Sequence, residues 1–256
     1  MTAGVVASGV LCRRALREIP RVPGRIVFPM LIPIVQMVLF ASVFENFGQY
    51  RTGGAGNSLD FLAAGQVALS VLVGAGGAGF QMVQDIDSGF FDKLRVAPIP
   101  RLSIVAGLLA TDAVRLSFHV LVVTCVALAL GAKLASGVLG LLAMMLLGGF
   151  FGAMWSGIAL NVALRTKNAE ITGASNVLIF PLYFGSTAFV PHDLLPSWLQ
   201  AVNAVNPVSY LVDAMRALML QGWQWETLGK GFLAAAIVGA VTMPLAVRAF
   251  RRSVQS

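Results

Sequence analysis

Charge is scarce in this sequence. Asp, Glu, Lys and Arg together make up 11% of 256 residues, where a soluble domain carries about 25%. That deficit excludes a water-soluble globular enzyme and a disordered chain. Cysteine is almost missing: Cys12 and Cys125 are widely spaced, which excludes a disulfide framework and a cysteine metal site. The nucleotide loop G-x-x-x-x-G-K-[ST] is absent, and Gly229–Lys230–Gly231 is followed by Phe232,. No Ser/His/Asp, zinc or paired-carboxylate arrangement forms, so no catalytic residue and no bound metal are expected. Nor does any basic face run along the chain. The net charge of +7 comes from short clusters between charge-free stretches, which argues against nucleic acid as a partner.

What the chain does contain is apolar length. Hydrophobic residues make up 57% and the mean hydropathy is +0.82. A helix crossing about 30 Å of hydrocarbon needs about 20 mostly apolar residues. Six segments meet that requirement, over 26–45, 61–84, 113–132, 138–161, 171–190 and 230–249. Backbone groups in lipid must be satisfied internally, and the alternating segments of a β-barrel are lacking. The expected fold is an all-α membrane protein, one transmembrane domain over residues 1–256 with six spans.

The basic residues orient it. With both ends of the chain cytoplasmic, only Arg51, Lys133, Arg216 and Lys230 of the eighteen fall outside. This bias supports an even number of spans in a cell membrane.

The connections carry their own signals. Residues 5–20 are helix-compatible and end at Pro20; Arg13, Arg14 and Arg17 beside Val6, Val10 and Leu11 fit an interfacial helix among membrane lipids,. Because the apolar stretch Val5–Leu11 precedes the arginines, no secretory leader is expected. Residues 85–101 are too polar to span. There Phe90, Phe91, Leu94 and Val96 form an expected exposed patch rimmed by Asp85, Asp87, Asp92, Lys93, Arg95 and Arg101, which fits a protein contact. Pro98 and Pro100 end any helix. Residues 191–221 hold two short helical patterns, after Pro191 and after Pro207, each too short to span. They fit extracellular half-helices that dip into the outer leaflet and return, with Trp198, Trp223 and Trp225 at headgroup level.

Four features have plainer readings. Gly74, Gly76, Gly77 and Gly79 lie in an uncharged span, and Gly148 with Gly152 forms a G-x-x-x-G pair; close helix packing explains both. His119 reads as a neutral, hydrogen-bonded side chain facing the bundle. Asp112 and Arg115 are three apart and read as a structural pair near the cytoplasmic boundary. Asp213 and Arg216 repeat that spacing, either pairing at a gate or solvating the outer rim.

Two motifs and the layout together resemble a known family. One motif is Gly89-x-x-Asp92-Lys93-Leu94-Arg95-Val96-x-Pro98-x-x-Arg101, and the other is Asn206-Pro207-x-Ser209-Tyr210-x5-Arg216. Over nearly its whole length the chain resembles an ABC-2-type transporter permease of the daunorubicin/doxorubicin-resistance exporter type. Asp92 stands where Glu is usual, Ala97 where Thr is usual, and Asp85 and Asp87 replace a Glu-Arg pair.

The resemblance implies a type V exporter-like fold and a subunit without enzymatic activity of its own. A separate ABC ATPase subunit would bind ATP and Mg, and a second permease subunit, identical or homologous, would complete the pathway. Asp87, Phe90, Phe91, Asp92, Lys93, Leu94, Arg95, Pro98 and Arg101 would couple to the ATPase through a coupling helix. Trp198, Asn206, Pro207, Tyr210, Asp213 and Arg216 would belong to the outer gate. The implied cargo is an amphipathic or lipid-like compound such as a drug, polyketide or glycolipid. The rival expectation is an ion-driven secondary transporter, which would need intramembrane carboxylates or broken helices; His119 is its foothold.

Overall fold

A computed structural model describes residues 24–46, 58–92 and 100–253 of the chain. The expected interfacial helix over 5–20, Arg51, and the coupling residues Lys93, Leu94, Arg95 and Pro98 lie outside the described residues. Among the described residues every element is helical and there is no strand.

The elements in chain order are α1 (Gly24–Asn46), α2 (Ser58–Gly74), α3 (Gly77–Asp87), α4 (Arg101–Ala129) and α5 (Gly137–Thr166). They continue with α6 (Ala169–Ala174), a 3₁₀ turn at Ser175–Leu178 and α7 (Ile179–Phe184). Next come α8 (Ser197–Val205), α9 (Pro207–Arg216), a π-helical turn at Ala217–Gln221, and α10 (Trp225–Ser253). Four helical stretches are long and apolar enough to cross a membrane: Leu59–Asp87, Leu102–Ala129, Gly137–Thr166 and Trp225–Ser253. Within α1 the shorter apolar stretch is Val27–Val43.

Which face each helix buries explains the arrangement. The α2–α3 path is 89% buried over its most apolar window, so it forms the central column. Around it α1, α4, α5 and α10 turn apolar side chains outward. On α10 these are Leu233, Ile237, Val241 and Leu245, one every four residues; on α5 they are Leu139, Leu142, Leu146 and Phe150. An outward stripe this apolar suits lipid, not water. The chain is therefore a multi-pass membrane protein.

Since lipid tails are as apolar as leucine, these helices are held by close packing and by hydrogen bonds between them. A Cβ on Gly148 or Gly152 would strike Val71 of α2 and residues of α4, so the G-x-x-x-G pair does serve close approach. Ser117 of α4 donates to the Met145 carbonyl of α5 at 2.8 Å, and Thr242 of α10 donates to the Met154 carbonyl at 2.8 Å.

Three sequence expectations are corrected. The expected span over 113–132 is part of a longer helix that begins at Arg101, because Pro100 is extended and releases the chain straight into α4. No continuous helix runs over 171–190. The path is α6, the 3₁₀ turn and α7, followed by a turn from Gly185, because Pro181 has no N–H for the turn before it and the tighter turn takes over. The span over 61–84 is broken at Ala75–Gly76, where Gly76 has φ of 111°, outside the helical region.

Two apolar cores result. One joins Val71 and Leu72 of α2, Leu116 and Val120 of α4, Phe151 of α5 and Leu211 and Met215 of α9. The other joins Met82 of α3, Leu108 and Leu109 of α4, Leu160 of α5 and Phe250 of α10. The break in the central column lies between them.

Candidate functional site

Breaking a helix inside lipid frees backbone groups that have no water to turn to. At Ala75–Gly76 four of them find side chains on neighbouring elements. The Gly76 N–H donates to Ser156 Oγ of α5 at 2.8 Å. The Ala78 N–H donates to Asp112 Oδ2 of α4 at 2.8 Å. Arg115 Nη2 donates to the Gly74 carbonyl at 2.7 Å. Asn176, in the 3₁₀ turn after α6, donates to the Ala75 carbonyl at 3.2 Å. The same Arg115 nitrogen lies 2.8 Å from Asp112 Oδ1, so the pair is closed upon itself and upon the broken helix. Gly77 has to be glycine-sized here: a Cβ would strike Arg115 and Asp112.

This junction gives the Asp112–Arg115 pair its setting. Asp112 is the twelfth residue of the 29-residue α4, about 16 Å along a helix that is about 42 Å long. Both side chains are buried. They sit well inside the helix, Asp112 eleven residues after its first. One turn further on, His119 is fully buried, with Nδ1 3.3 Å from the Ser70 carbonyl of α2. The expected hydrogen-bonded histidine facing the bundle is therefore what is found.

The residues expected to couple are placed as follows. Asp87 ends α3 and is exposed, and Asp92 is exposed. Phe90 is half-buried. Phe91, expected on an exposed patch, is instead buried, its ring edge-on to Phe250 of α10 with centroids 5.5 Å apart. The α10 C-terminal end covers it, which no short-range pattern reveals. Arg101 opens α4.

The expected gate residues fall into a hydrogen-bonded group and an outlier. Asn206 caps α9 by accepting from the Val208 N–H at 3.0 Å, and its Nδ2 donates to the Leu182 carbonyl at 2.6 Å. Pro207 follows at the first helical position, where a missing N–H costs nothing. Tyr210 donates its hydroxyl to the Ala204 carbonyl at 2.6 Å, tying α9 back to α8. Asp213 and Arg216 pair at 3.2 Å. Arg216 Nη2 also donates to the Thr187 carbonyl at 2.6 Å, and its guanidinium lies 3.8 Å over the Phe61 ring. Thr187 donates its hydroxyl to Asp213 at 2.5 Å. Of the two readings of this pair, the geometry gives a pinned pair rather than a solvated rim. Trp198 stands apart, 67% exposed.

Sequence reasoning missed Ser156, Asn176 and Thr187, each a short polar side chain that looks idle until its distant partner is known: a backbone group for Ser156 and Asn176, the Asp213 carboxylate for Thr187. It also missed the contact of Asp112 with the Ala78 N–H. Two signals were available, the Gly-Ala-Gly-Gly run at 74–77 and the charged pair in an otherwise apolar helix. Among the described residues no group of three His, Cys, Asp or Glu could hold a metal.

The family model described as "ABC-2 type transporter" matches residues 7–220. The "Daunorubicin resistance ABC transporter permease protein DrrB1" of Streptomyces coeruleorubidus is 28% identical over 93% of this chain and 83% of that protein. The "Probable doxorubicin resistance ABC transporter permease protein DrrC" of Mycobacterium tuberculosis is 26% identical over 95% of this chain and 86% of that protein. The "Inner membrane transport permease YadH" of Escherichia coli is 25% identical over 78% of each.

Proposed function

The chain belongs to the ABC-2 type transporter family, and on that premise we propose that it is the membrane permease subunit of an ATP-driven exporter. Its cargo is an amphipathic or lipid-like compound, in keeping with the drug-resistance names of two relatives. ATP and Mg belong to a separate ABC ATPase subunit, which docks on the cytoplasmic segment 85–101. A second permease subunit, identical or homologous, completes the pathway in the cell membrane, with both chain ends cytoplasmic. Residues 191–221 form the outer gate, where α8 and α9 fold back upon each other.

The observation that carries this reading is the family match, which takes in both the cytoplasmic segment and the outer half-helices. The midway helix break and the buried Asp112 are the features an ion-driven transporter would want. Asp112 is already committed to Arg115 and to the Ala78 N–H, so they do not favour that alternative.

The test uses Asp87→Arg, because Asp87 is exposed whereas a charge at Phe91 would wreck the packing against Phe250. With a co-expressed cognate ABC ATPase, the variant should reach the membrane at wild-type level and lose ATPase copurification and ATP-dependent transport in vesicles. Undiminished copurification removes the docking assignment. Transport that survives ATP depletion but collapses with the proton gradient removes the ATP-driven reading.

A further inference from the structure

A polar cavity of about 340 Å³ lies where α9 and the π-helical turn meet the start of α10. Tyr210, Asp213, Arg216, Gln221, Thr227 and Lys230 line it. Its volume is at the small end of the range for ligand pockets, roughly 300–1,000 Å³.

The charges here cancel. Arg216 and Lys230 bring two positive charges; Asp213 and Glu226, which pairs with Lys230 at 2.7 Å, bring two negative ones. A ligand of net charge is not called for, whereas a ligand with one end of each sign meets an opposite at both.

The bonding left open is equally two-sided. Arg216 is spent within the protein, Nη1 on Asp213 and Nη2 on the Thr187 and Ala188 carbonyls. Asp213 has capacity to spare. The bonds it accepts from Arg216 and Thr187 both fall on Oδ1, Oδ2 accepts none, and the side chain is 39% exposed. Lys230 is 56% exposed and gives one of its three N–H groups to Glu226,. The Thr227 hydroxyl has no partner among the described residues. The cavity thus offers an anionic acceptor on α9 and a cationic donor with a hydroxyl on α10.

Its surroundings belong to lipid. Between Gln221 and Thr227 the chain carries Trp223 and Trp225, exposed and stacked with ring centroids 5.2 Å apart. Tryptophans of this kind sit at headgroup level. Leu233, Ile237 and Val241 follow Lys230 at three, seven and eleven residues, so the outward apolar stripe of α10 starts under the Lys230 side chain.

We infer that this cavity holds the headgroup of a resident phospholipid of the ethanolamine type. The ammonium donates to Asp213 Oδ2, the phosphate accepts from Lys230 and Thr227, and the acyl chains follow the α10 stripe. That this lipid belongs to the outer leaflet rests on the topology proposed above; that it binds does not.

The test is native mass spectrometry of the purified full chain, titrated in detergent with dioleoyl phosphatidylethanolamine, phosphatidylcholine or phosphatidylglycerol. One ethanolamine lipid per chain should be held about ten-fold more tightly than either of the others, the worth of one charge-assisted hydrogen bond. Choline has no N–H for Asp213, and the glycerol headgroup has no cation. Lys230→Gln should weaken the ethanolamine lipid about ten-fold, and Asp213→Asn should bring it down to the choline lipid. Arg248→Gln, which removes an exposed cation near the far end of the same helix, should change nothing. Equal retention of the three lipids by the wild-type chain, or undiminished retention in Lys230→Gln, overturns the site. The three-lipid comparison decides even where a variant fails to fold. Glycerophosphoethanolamine carries the headgroup without chains; if it displaces the lipid at equal concentration, the site takes a soluble ligand and the lipid assignment falls. No ATPase is present, so this result stands apart from the docking test.

Discussion

Arg115 reaches across the bundle from α4 to the Gly74 carbonyl at 2.7 Å while staying 2.8 Å from Asp112 on its own helix. One guanidinium thus mends a broken helix and neutralises a buried carboxylate together. Neither task could be done alone in lipid. Without Asp112 the cation would be stranded, and without the Gly74 carbonyl the pair would have no reason to sit there.

Asp112→Ala should therefore be among the most damaging single changes. Removing one partner of a buried ion pair costs about 3–5 kcal/mol. The Ala78 N–H also loses its acceptor. Thermal melting of the detergent-solubilised chain, read by size-exclusion chromatography, should fall sharply. A melting curve within a degree of wild type would show that the pair is not buried as described.

Gly76→Ala and Gly77→Ala should both destabilise, for different reasons. At Gly76 the backbone has φ of 111°, and a side chain in the left-handed region costs roughly 1–2 kcal/mol. At Gly77 the new methyl meets Arg115 and Asp112, so the pair itself must move. Gly77→Ala should melt lower than Gly76→Ala in the same assay.

Phe91→Ala should lower stability by about 3–5 kcal/mol, the usual loss for an aromatic removed from a packed core. Phe91→Leu should recover part of it. Phe91 to Phe250 is a contact between the segment after α3 and the end of α10, so limited proteolysis near residues 250–253 should quicken in Phe91→Ala.

On the gate reading proposed above, Arg216→Ala should loosen residues 191–221 rather than the bundle. Its hydrogen bonds to Thr187 and Asp213 involve a charged donor, and losing bonds of that kind costs about 1.5–3 kcal/mol. Protease cleavage within 189–196 should rise several-fold. Arg216→Lys, which keeps the charge and loses the fork, should fall between the two. Equal cleavage in all three would detach this pair from the gate.

Ile237→Asp tests the outward stripe on α10, where Ile237 is exposed. An aspartate at the centre of a membrane helix costs about 2.5–3.5 kcal/mol on insertion scales. Membrane yield should drop, whereas Gln224→Asp, at the exposed helix start, should insert normally.

How far the sequence could be read depends on the range of the interaction. Helical class and membrane location follow from composition, a property of every residue at once. The Asp213–Arg216 pair was visible because both partners lie on one helix turn. The tie from Asn176 to the Ala75 carbonyl was not, since 101 residues separate them. Phe91 misled for the same reason: among charged neighbours it reads as exposed, and only the distant end of α10 hides it. The Asp112–Arg115 pair was recognised because its partners lie three apart, but the broken helix it holds was not, because hydropathy does not show where a helix breaks. Lys93, Leu94, Arg95 and Pro98, at the heart of the expected docking motif, lie outside the described residues.

Since the central column crosses between its two oily layers at a single glycine, a turn of the backbone at Gly76 would swing α3 as a lever about that residue. The lever is eleven residues long, about 16 Å. A turn of about 10° at that one residue carries the Asp87 end through roughly 3 Å, about two residues of helix rise. Any push delivered at Asp87 arrives, geared down, on the four side chains that hold the fulcrum.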